Sequence, residues 1–317
     1  MTSQPLAVAV TGATGFIGGH LLRELARRGH RISALARRDY EPPADLPAEV
    51  EWVRGRLGDP DALARLTEGA DATIHLAGLT KARSKEDFFA INADGAGHMA
   101  AAARRAGCRV FVLASSLAAR EPQLSDYAAS KRAGEDAVKA EAGDMTVSIV
   151  RVPAVFGPND PATKPILDMM RAGWLPAPGG PRGKFSLMFV TDLARALADL
   201  TVAPAPPAVY SPVGVAEADW DALAAAAGES LGKRVRVLRI PPFLLKTAAF
   251  AAETAGAALG RANHFNSGKV REMLHVDWTG DTQVAGALSL SRAMDEVFGV
   301  DAGARNRQTG TVQEFMG

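Results

Sequence analysis

Thr11-Gly12-Ala13-Thr14-Gly15-Phe16-Ile17-Gly18 joins an apolar run, residues 6–11, to a segment with helical apolar spacing, residues 16–29. Its three glycines fall where a strand gives way to a helix. Gly12 permits a tight turn, Gly15 lets a pyrophosphate approach the backbone, and Gly18 lets the helix pack close to the strand. Exposed amides at the helix N-terminus then face the anion. An ordinary glycine-rich turn has the same composition, so the surrounding sequence has to decide. On this reading Gly12, Thr14, Gly15, Phe16, Ile17 and Gly18 are candidate contacts to a dinucleotide.

Working outward, further apolar runs occur at 31–36, 50–53, 72–76, 110–114 and 147–152, with helical patterns at 61–67, 86–106 and 127–142. Strand–helix alternation of this kind predicts an α/β fold, a Rossmann-type doubly wound parallel sheet. Such strands are buried on both faces and so read as continuous apolar runs. The second half is less regular. Residues 153–183 are rich in Pro and Gly, with a helical piece at 166–171. Helices are expected at 191–200, with Thr191 as N-cap, and at 219–231, 243–259 and 284–298, with a strand at 235–240. This predicts a dinucleotide-binding domain at 1–158, to which the chain returns near 187–213. A smaller, mostly helical C-terminal substrate region follows at 159–186 and 214–299, then a flexible tail at 300–317.

The composition excludes several classes. The chain has 317 residues, 47% of them hydrophobic, enough for at least one large core. Charged residues make up 22% and the formal net charge is +1, which gives no support for a nucleic-acid partner. The single cysteine, Cys108, cannot form an intrachain disulfide, and a cytoplasmic location fits. No cluster has metal-site spacing, and residues 1–5 do not resemble the start of a signal peptide. The stretch 243–259 is interrupted by Lys246 and Glu253. It reads as a buried or amphipathic helix rather than an integral membrane segment, with shallow membrane contact left open. His75 and His98 are weak candidates for catalysis, and Trp174, Trp220 and Trp278 read as core or pocket-wall residues.

The second strand bears on the choice of cofactor. Its end reads Ala34-Leu35-Ala36-Arg37-Arg38. NAD-preferring folds place an acidic residue near the position of Ala36, to bond the ribose 2′-hydroxyl. Arg37 and Arg38 instead suit a 2′-phosphate, so NADP is the expected cofactor, while Asp39 keeps NAD open.

Tyr127-Ala128-Ala129-Ser130-Lys131 places a phenol and an ammonium one turn apart on a helix. A nearby ammonium is expected to lower the tyrosine pKa and so equip it for proton transfer at a carbon–oxygen centre. Lysine also suits the ribose of a nicotinamide cofactor. Ser115 and Ser116 end the run at 110–114, where open α/β sheets bind ligands. Ser116 is the candidate to orient a substrate oxygen, and Ser115 has a cofactor or structural role.

Together these motifs resemble the extended short-chain dehydrogenase/reductases, the NAD-dependent epimerase/dehydratase family. The resemblance covers roughly the first two-thirds of the chain. It rests on residues 11–18, His75-Leu76-Ala77-Gly78, Asn92, Ser115-Ser116, residues 127–131, Arg151-Val152-Pro153-Ala154-Val155-Phe156-Gly157-Pro158 and Phe189-Val190-Thr191-Asp192-Leu193. It implies that Ser116, Tyr127 and Lys131 are catalytic, with Asn92 supporting the lysine or a relay water. It also places Leu57, Leu76, Ala77, Gly78, Ser115, Tyr127, Lys131, Pro153 and Val155 along the cofactor, and relatives often form homodimers. Three departures stand out. Arg56 occupies the place of an aspartate that contacts adenine in many members, with Asp59 as a substitute. The segment from Ser116 to Tyr127 is short, and Leu117-Ala118 replaces the acidic pair of sugar dehydratases.

The reading is an NAD(P)-dependent oxidoreductase acting on a small-molecule carbonyl or hydroxyl substrate. Its rivals are a nucleotide-sugar epimerase with retained NAD and a non-catalytic dinucleotide sensor or assembly subunit. The residues at Ala36 and between Ser116 and Tyr127 weigh against the first, and retention of Tyr127 and Lys131 against the second.

Overall fold

Side-chain alternation along β1 (Ala7–Thr11) shows why this run becomes a strand buried on both faces. Val8 and Val10 point into one apolar layer and Ala9 into the other. The computed structural model describes residues 4–37, 40–180, 182–258 and 265–300, with the backbone alone at 256–258. Arg38, Asp39, Leu259 and residues 301–317, most of the expected tail, lie outside the described residues.

The chain continues through α1 (Phe16–Arg27), β2 (Arg31–Ala36), β3 (Glu51–Arg54), α2 (Pro60–Thr67) and β4 (Ala72–His75). Then come α3 (Lys85–Phe89), a π-helical turn (Ala90–Asp94), α4 (Gly95–Arg105) and β5 (Val110–Ser116). A 3-10 turn (Leu117–Arg120), α5 (Asp126–Ala140), β6 (Thr146–Val152), β7 (Ala154–Phe156), α6 (Lys164–Arg171) and β8 (Trp174–Pro178) follow. Next are β9 (Lys184–Phe189), α7 (Val190–Leu200), β10 (Val209–Tyr210), β11 (Pro212–Val213), β12 (Val215–Ala218) and α8 (Trp220–Leu231). The described chain closes with β13 (Arg236–Ile240), α9 (Pro242–Ala258), α10 (Ser267–Leu274), β14 (Asp277–Trp278), β15 (Thr282–Gln283) and α11 (Leu290–Phe298).

Seven strands form the central sheet in the order β10-β6-β5-β4-β1-β2-β3. Every neighbouring pair is parallel. One apolar layer packs Phe111 and Leu113 against Leu63, Leu66 and Met99 of the helices α2 and α4. The opposite layer packs Val112 and Ile74 against Leu21, Leu25, Leu193 and Leu197 of α1 and α7. This is the Rossmann-like sheet with flanking helices that the alternation predicts. The strand succession turns back at β1, between β2 and β4, opening a crevice at the carboxyl ends. A third core gathers Phe156, Leu175, Leu187, Leu223 and Met294 beyond that edge. There the helices are joined by short strands: β9 lies between β12 and β14 and also pairs with β7, and β8 pairs with β13.

Three local expectations are corrected. The helix expected at 86–106 is interrupted by the π-helical turn. Thr191 is not an N-cap: α7 starts directly from β9, with Phe189 at the cap and no side-chain bond. Phe189 is fixed there by burial against Phe156. The helix expected at 284–298 begins only at Leu290, capped by Ser289. Before it Gly286 takes a φ of 68°, and Asp192 accepts a bond from the Leu288 amide at 2.9 Å, so the chain turns there. Among the described residues no helix is long and apolar enough to cross a membrane.

Candidate active site

The parallel strands bring Thr11, Ala36, His75, Ser116 and Val152 to one edge of the sheet. At its centre lies the glycine turn. Gly15 is the N-cap of α1 and no side chain bonds the first turn, so those amides face outward unclaimed by any side chain. Gly12 has a φ of +71°, and a Cβ on it would sit 2.6 Å from the Ala77 nitrogen and the Leu76 carbonyl carbon. A Cβ on Gly18 would lie 2.3 Å from the Gly12 oxygen, so α1 reaches the strand only because glycine stands there. Thr14 and Gly15 are exposed, Phe16 stacks edge-on with His20, and Ile17 packs on the second apolar layer. This cradle of bare backbone and free amides fits a dinucleotide pyrophosphate.

Leu76, Ala77 and Gly78 cross beside the turn. Their anchor is the end of β4, where His75 Nδ1 lies 2.7 Å from Thr11 Oγ1. Burial, aided by the Lys131 charge, pushes the His75 pKa down to about 3, so the imidazole is neutral. At the end of β2 Arg37 is exposed, and Arg54 donates to its carbonyl at 3.0 Å and also to that of Tyr40. Leu57 is buried in the first apolar layer. Asp59 caps α2 by accepting the Ala62 amide at 3.1 Å, and Arg56 is exposed.

Ser116 ends β5 and accepts a bond from the Ala118 amide at 3.2 Å. Tyr127, in the first turn of α5, is half-buried, and it lines the same cleft as Ser116, whose hydroxyl acts on its pKa. Lys131, one turn on, is buried and donates to the Ala114 carbonyl at 2.8 Å. The sheet edge thus brings Ser116, Tyr127 and Lys131 together. The expected lowering of the tyrosine pKa is corrected. Burial pushes the Tyr127 phenol up, the Ser116 hydroxyl pulls it partly back, and Glu272 pushes it up again. Burial pushes Lys131 down to about 8, opposed by Glu135.

Asn92 lies within the π-helical turn, a common marker of functional positions. Its Oδ1 accepts the Leu79 amide at 2.7 Å, and its Nδ2 donates to the Leu79 carbonyl at 3.0 Å and to Ser130 Oγ at 2.9 Å. It therefore ties the loop after β4 to α5 rather than bonding Lys131 itself. Ser115 donates to Glu135 at 2.6 Å, and Arg151 bonds both oxygens of that buried carboxylate, so its hydroxyl is committed to fixing α5 on the sheet. Pro153 lines the cleft described below, and Val155 packs on the second layer.

A cleft of about 1240 Å³ opens in front of Ser116 and Tyr127. Phe88, Leu117, Val152, Phe185, Trp220 and Met273 supply much of its apolar wall. Trp278 lines it too, whereas Trp174 is exposed on the outside beneath Arg236. Sequence reading missed Ser125 and Glu272. Ser125 caps α5 by accepting the Ala128 amide at 2.9 Å, and its hydroxyl donates to the buried Glu272 carboxylate. The cap was visible in the sequence as a serine ahead of a helical run; its partner, 147 residues away, had no local signal.

Residues 8–207 match the model of the NAD dependent epimerase/dehydratase family. The chain is 44% identical to a ceramide reductase of Caulobacter vibrioides over 86% of this chain and 85% of that protein. Among solved structures it resembles a UDP-glucose 4-epimerase of Thermus thermophilus in complex with NAD, with a TM-score of 0.69, 20% identity, and 93% and 98% of the two chains covered. It also resembles a UDP-glucose 4-epimerase of Thermotoga maritima with UDP-glucose, with a TM-score of 0.72, 16% identity, and 93% and 98% covered. At these identities the two epimerases share the fold.

Proposed function

The chain belongs to the NAD-dependent epimerase/dehydratase family, and on that premise we propose that this oxidoreductase is an NADP-preferring reductase of a ketone in a ceramide-like, long-chain amide lipid. The observation that carries the reading is the placement of Ser116 and Tyr127 together on the wall of a large, mainly apolar cleft. Its volume exceeds the ~300–1,000 Å³ usual for drug-sized ligands, which suits a substrate with long chains. The 44% identity to a ceramide reductase supports the same substrate class.

A bound nicotinamide dinucleotide supplies the hydride. The glycine turn and residues 76–78 hold its phosphates, and Arg37 favours a 2′-phosphate where Ala36 offers no carboxylate. Ser116 orients the substrate oxygen, and Tyr127 transfers a proton to it. The Tyr127 phenol, pushed above its ordinary pKa, is protonated at neutral pH, the state from which a proton donor must start. Lys131 is held by the Ala114 carbonyl behind the tyrosine, and Asn92 positions the loop and helix between which it lies. Residues 159–186 and 214–299 select the substrate, and residues 1–158 with the return at 187–213 hold the dinucleotide.

The test is Tyr127→Phe. Cofactor affinity should stay unchanged while turnover of a long-chain ketone falls by ~10²–10⁴-fold, the usual contribution of a general acid. Near-normal turnover in this variant overturns the mechanism. A purified chain that retains NAD through dialysis and interconverts nucleotide sugars overturns the reductase reading in favour of an epimerase.

A further inference from the structure

Helix α9 borders the cleft, yet most of its surface is uncovered by the described residues. Leu245 and Ala249 pack inward on Val270, Ile240 and Leu274. The residue that precedes the helix abuts the cleft wall, since a Cβ on Gly179 would lie 3.6 Å from Pro241 Cα, and Glu253 lines the cleft itself. Facing away are Phe243, 64% exposed, Phe250, 66% exposed, and Leu244, 46% exposed. Phe243 and Phe250 are two turns apart and share a face. Exposed Ala248 and Ala251 fill the surface around them.

The two threonines on this surface do not make it polar. Thr247 Oγ1 donates to the carbonyls of Phe243 and Leu244, and Thr254 Oγ1 to those of Phe250 and Ala251. Their hydroxyls are satisfied within the helix, so the face can leave water without stranding a polar group. Glu253 turns to the cleft side and accepts both the amide and the hydroxyl of Ser267. A helix that is apolar nearly all round is ordinarily buried. Here the outward face carries one charge, Lys246, which is exposed.

Cations stand near the face, and Glu253, two turns on from Lys246, is taken up by Ser267. Arg182 is exposed in the loop that meets the start of α9, and Arg83 is exposed at the rim of the cleft. Among the described residues no carboxylate pairs with Lys246, Arg182 or Arg83. Two phenylalanines and a leucine flanked by free cations match the two requirements of an anionic bilayer surface. We propose that α9 lies in the interfacial plane of an anionic membrane, with Phe243, Leu244 and Phe250 below the headgroups and Lys246 among them. The cleft mouth is thereby set against the bilayer. The purpose of this docking, delivery of a lipid substrate, rests on the function proposed above; the docking itself does not.

The experiment is co-sedimentation of the full chain with phosphatidylcholine vesicles, with and without phosphatidylglycerol, in the absence of substrate. The wild type should partition to the vesicles, and more strongly when phosphatidylglycerol is present. The double variant Phe243→Ser/Phe250→Ser should lose roughly tenfold or more of that partition. Lys246→Glu should weaken binding to the anionic vesicles alone. Both variants should keep the circular dichroism of the wild type and its turnover of a short water-soluble ketone. No vesicle binding by the wild type overturns the proposal, as does equal binding by the double variant. Self-association that the double variant abolishes, with vesicle binding unchanged, assigns the face to a second copy and also overturns it. Vesicle binding without turnover of any long-chain ketone sustains the docking and overturns the substrate reading instead.

Discussion

His75 shows how a single side chain ties the site to the stability of the sheet. It ends β4 beside Thr11, wholly inside the protein, and burial holds its pKa near 3 against an ordinary 6.5. The unfolded chain therefore binds a proton between those values that the folded chain refuses. The folded pKa is depressed, so this contribution to stability is complete above 6.5 and is lost progressively as the pH falls toward about 3. His75→Asn removes the titration while leaving a polar partner for Thr11. Urea unfolding followed from pH 7 to pH 3.5 should show a shallower fall in the variant than in the wild type. Equal slopes would mean that His75 takes up a proton in the folded chain. In the sequence the residue reads as part of the 75–78 motif and as a weak catalytic candidate; its neutrality depends on what surrounds it.

Helix α5 holds Tyr127 in its first turn, so whatever fixes that turn also sets the phenol. Ser125 caps it, and the same hydroxyl donates to Glu272 of α10. Lys269 bonds the second oxygen of Glu272 at 3.1 Å, and Arg271 donates to the Leu124 carbonyl at 2.7 Å. The C-terminal part of the chain thereby grips the start of the helix that bears the proposed acid. Glu272 also pushes the Tyr127 pKa up. Glu272→Gln keeps an acceptor for Ser125 and removes the charge, so the phenol should ionise at lower pH. The basic limb of kcat/KM for reduction should move to lower pH, while Ser125→Ala should cost about 1 kcal/mol of stability through the lost cap. An unmoved limb in Glu272→Gln would show that the carboxylate does not act on the tyrosine.

Across the molecule, what was legible is what consecutive residues encode. The glycine turn needs only residues 11–18, and the Tyr127/Lys131 pair needs only one turn of helix. The parallel strands declare themselves because burial on both faces makes them apolar throughout. The shortest strands are different: β10, at the end of the sheet, and β11, β14 and β15, beyond it, are two residues each and exist through partners elsewhere, as when β14 pairs with β9. Bonds such as Asn92 to Leu79 and Ser125 to Glu272 likewise follow from the fold rather than from spacing. The proposed cofactor preference joins both kinds of information, because Ala36 and Arg37 are read in sequence but would act only where the sheet puts them. A ligand that binds only the folded chain stabilises it by mass action, by about 2.7 kcal/mol at a hundredfold excess over Kd, and so raises its melting temperature. At equal concentration NADPH should therefore raise the melting temperature of the wild type more than NADH does, and Arg37→Ala should narrow the difference by weakening NADPH alone. Thermal unfolding of the two proteins with each nucleotide checks this. Equal shifts in the wild type would mean that the exposed Arg37 guanidinium makes no contact with a 2′-phosphate, and that backbone contacts at the glycine turn govern affinity for both nucleotides.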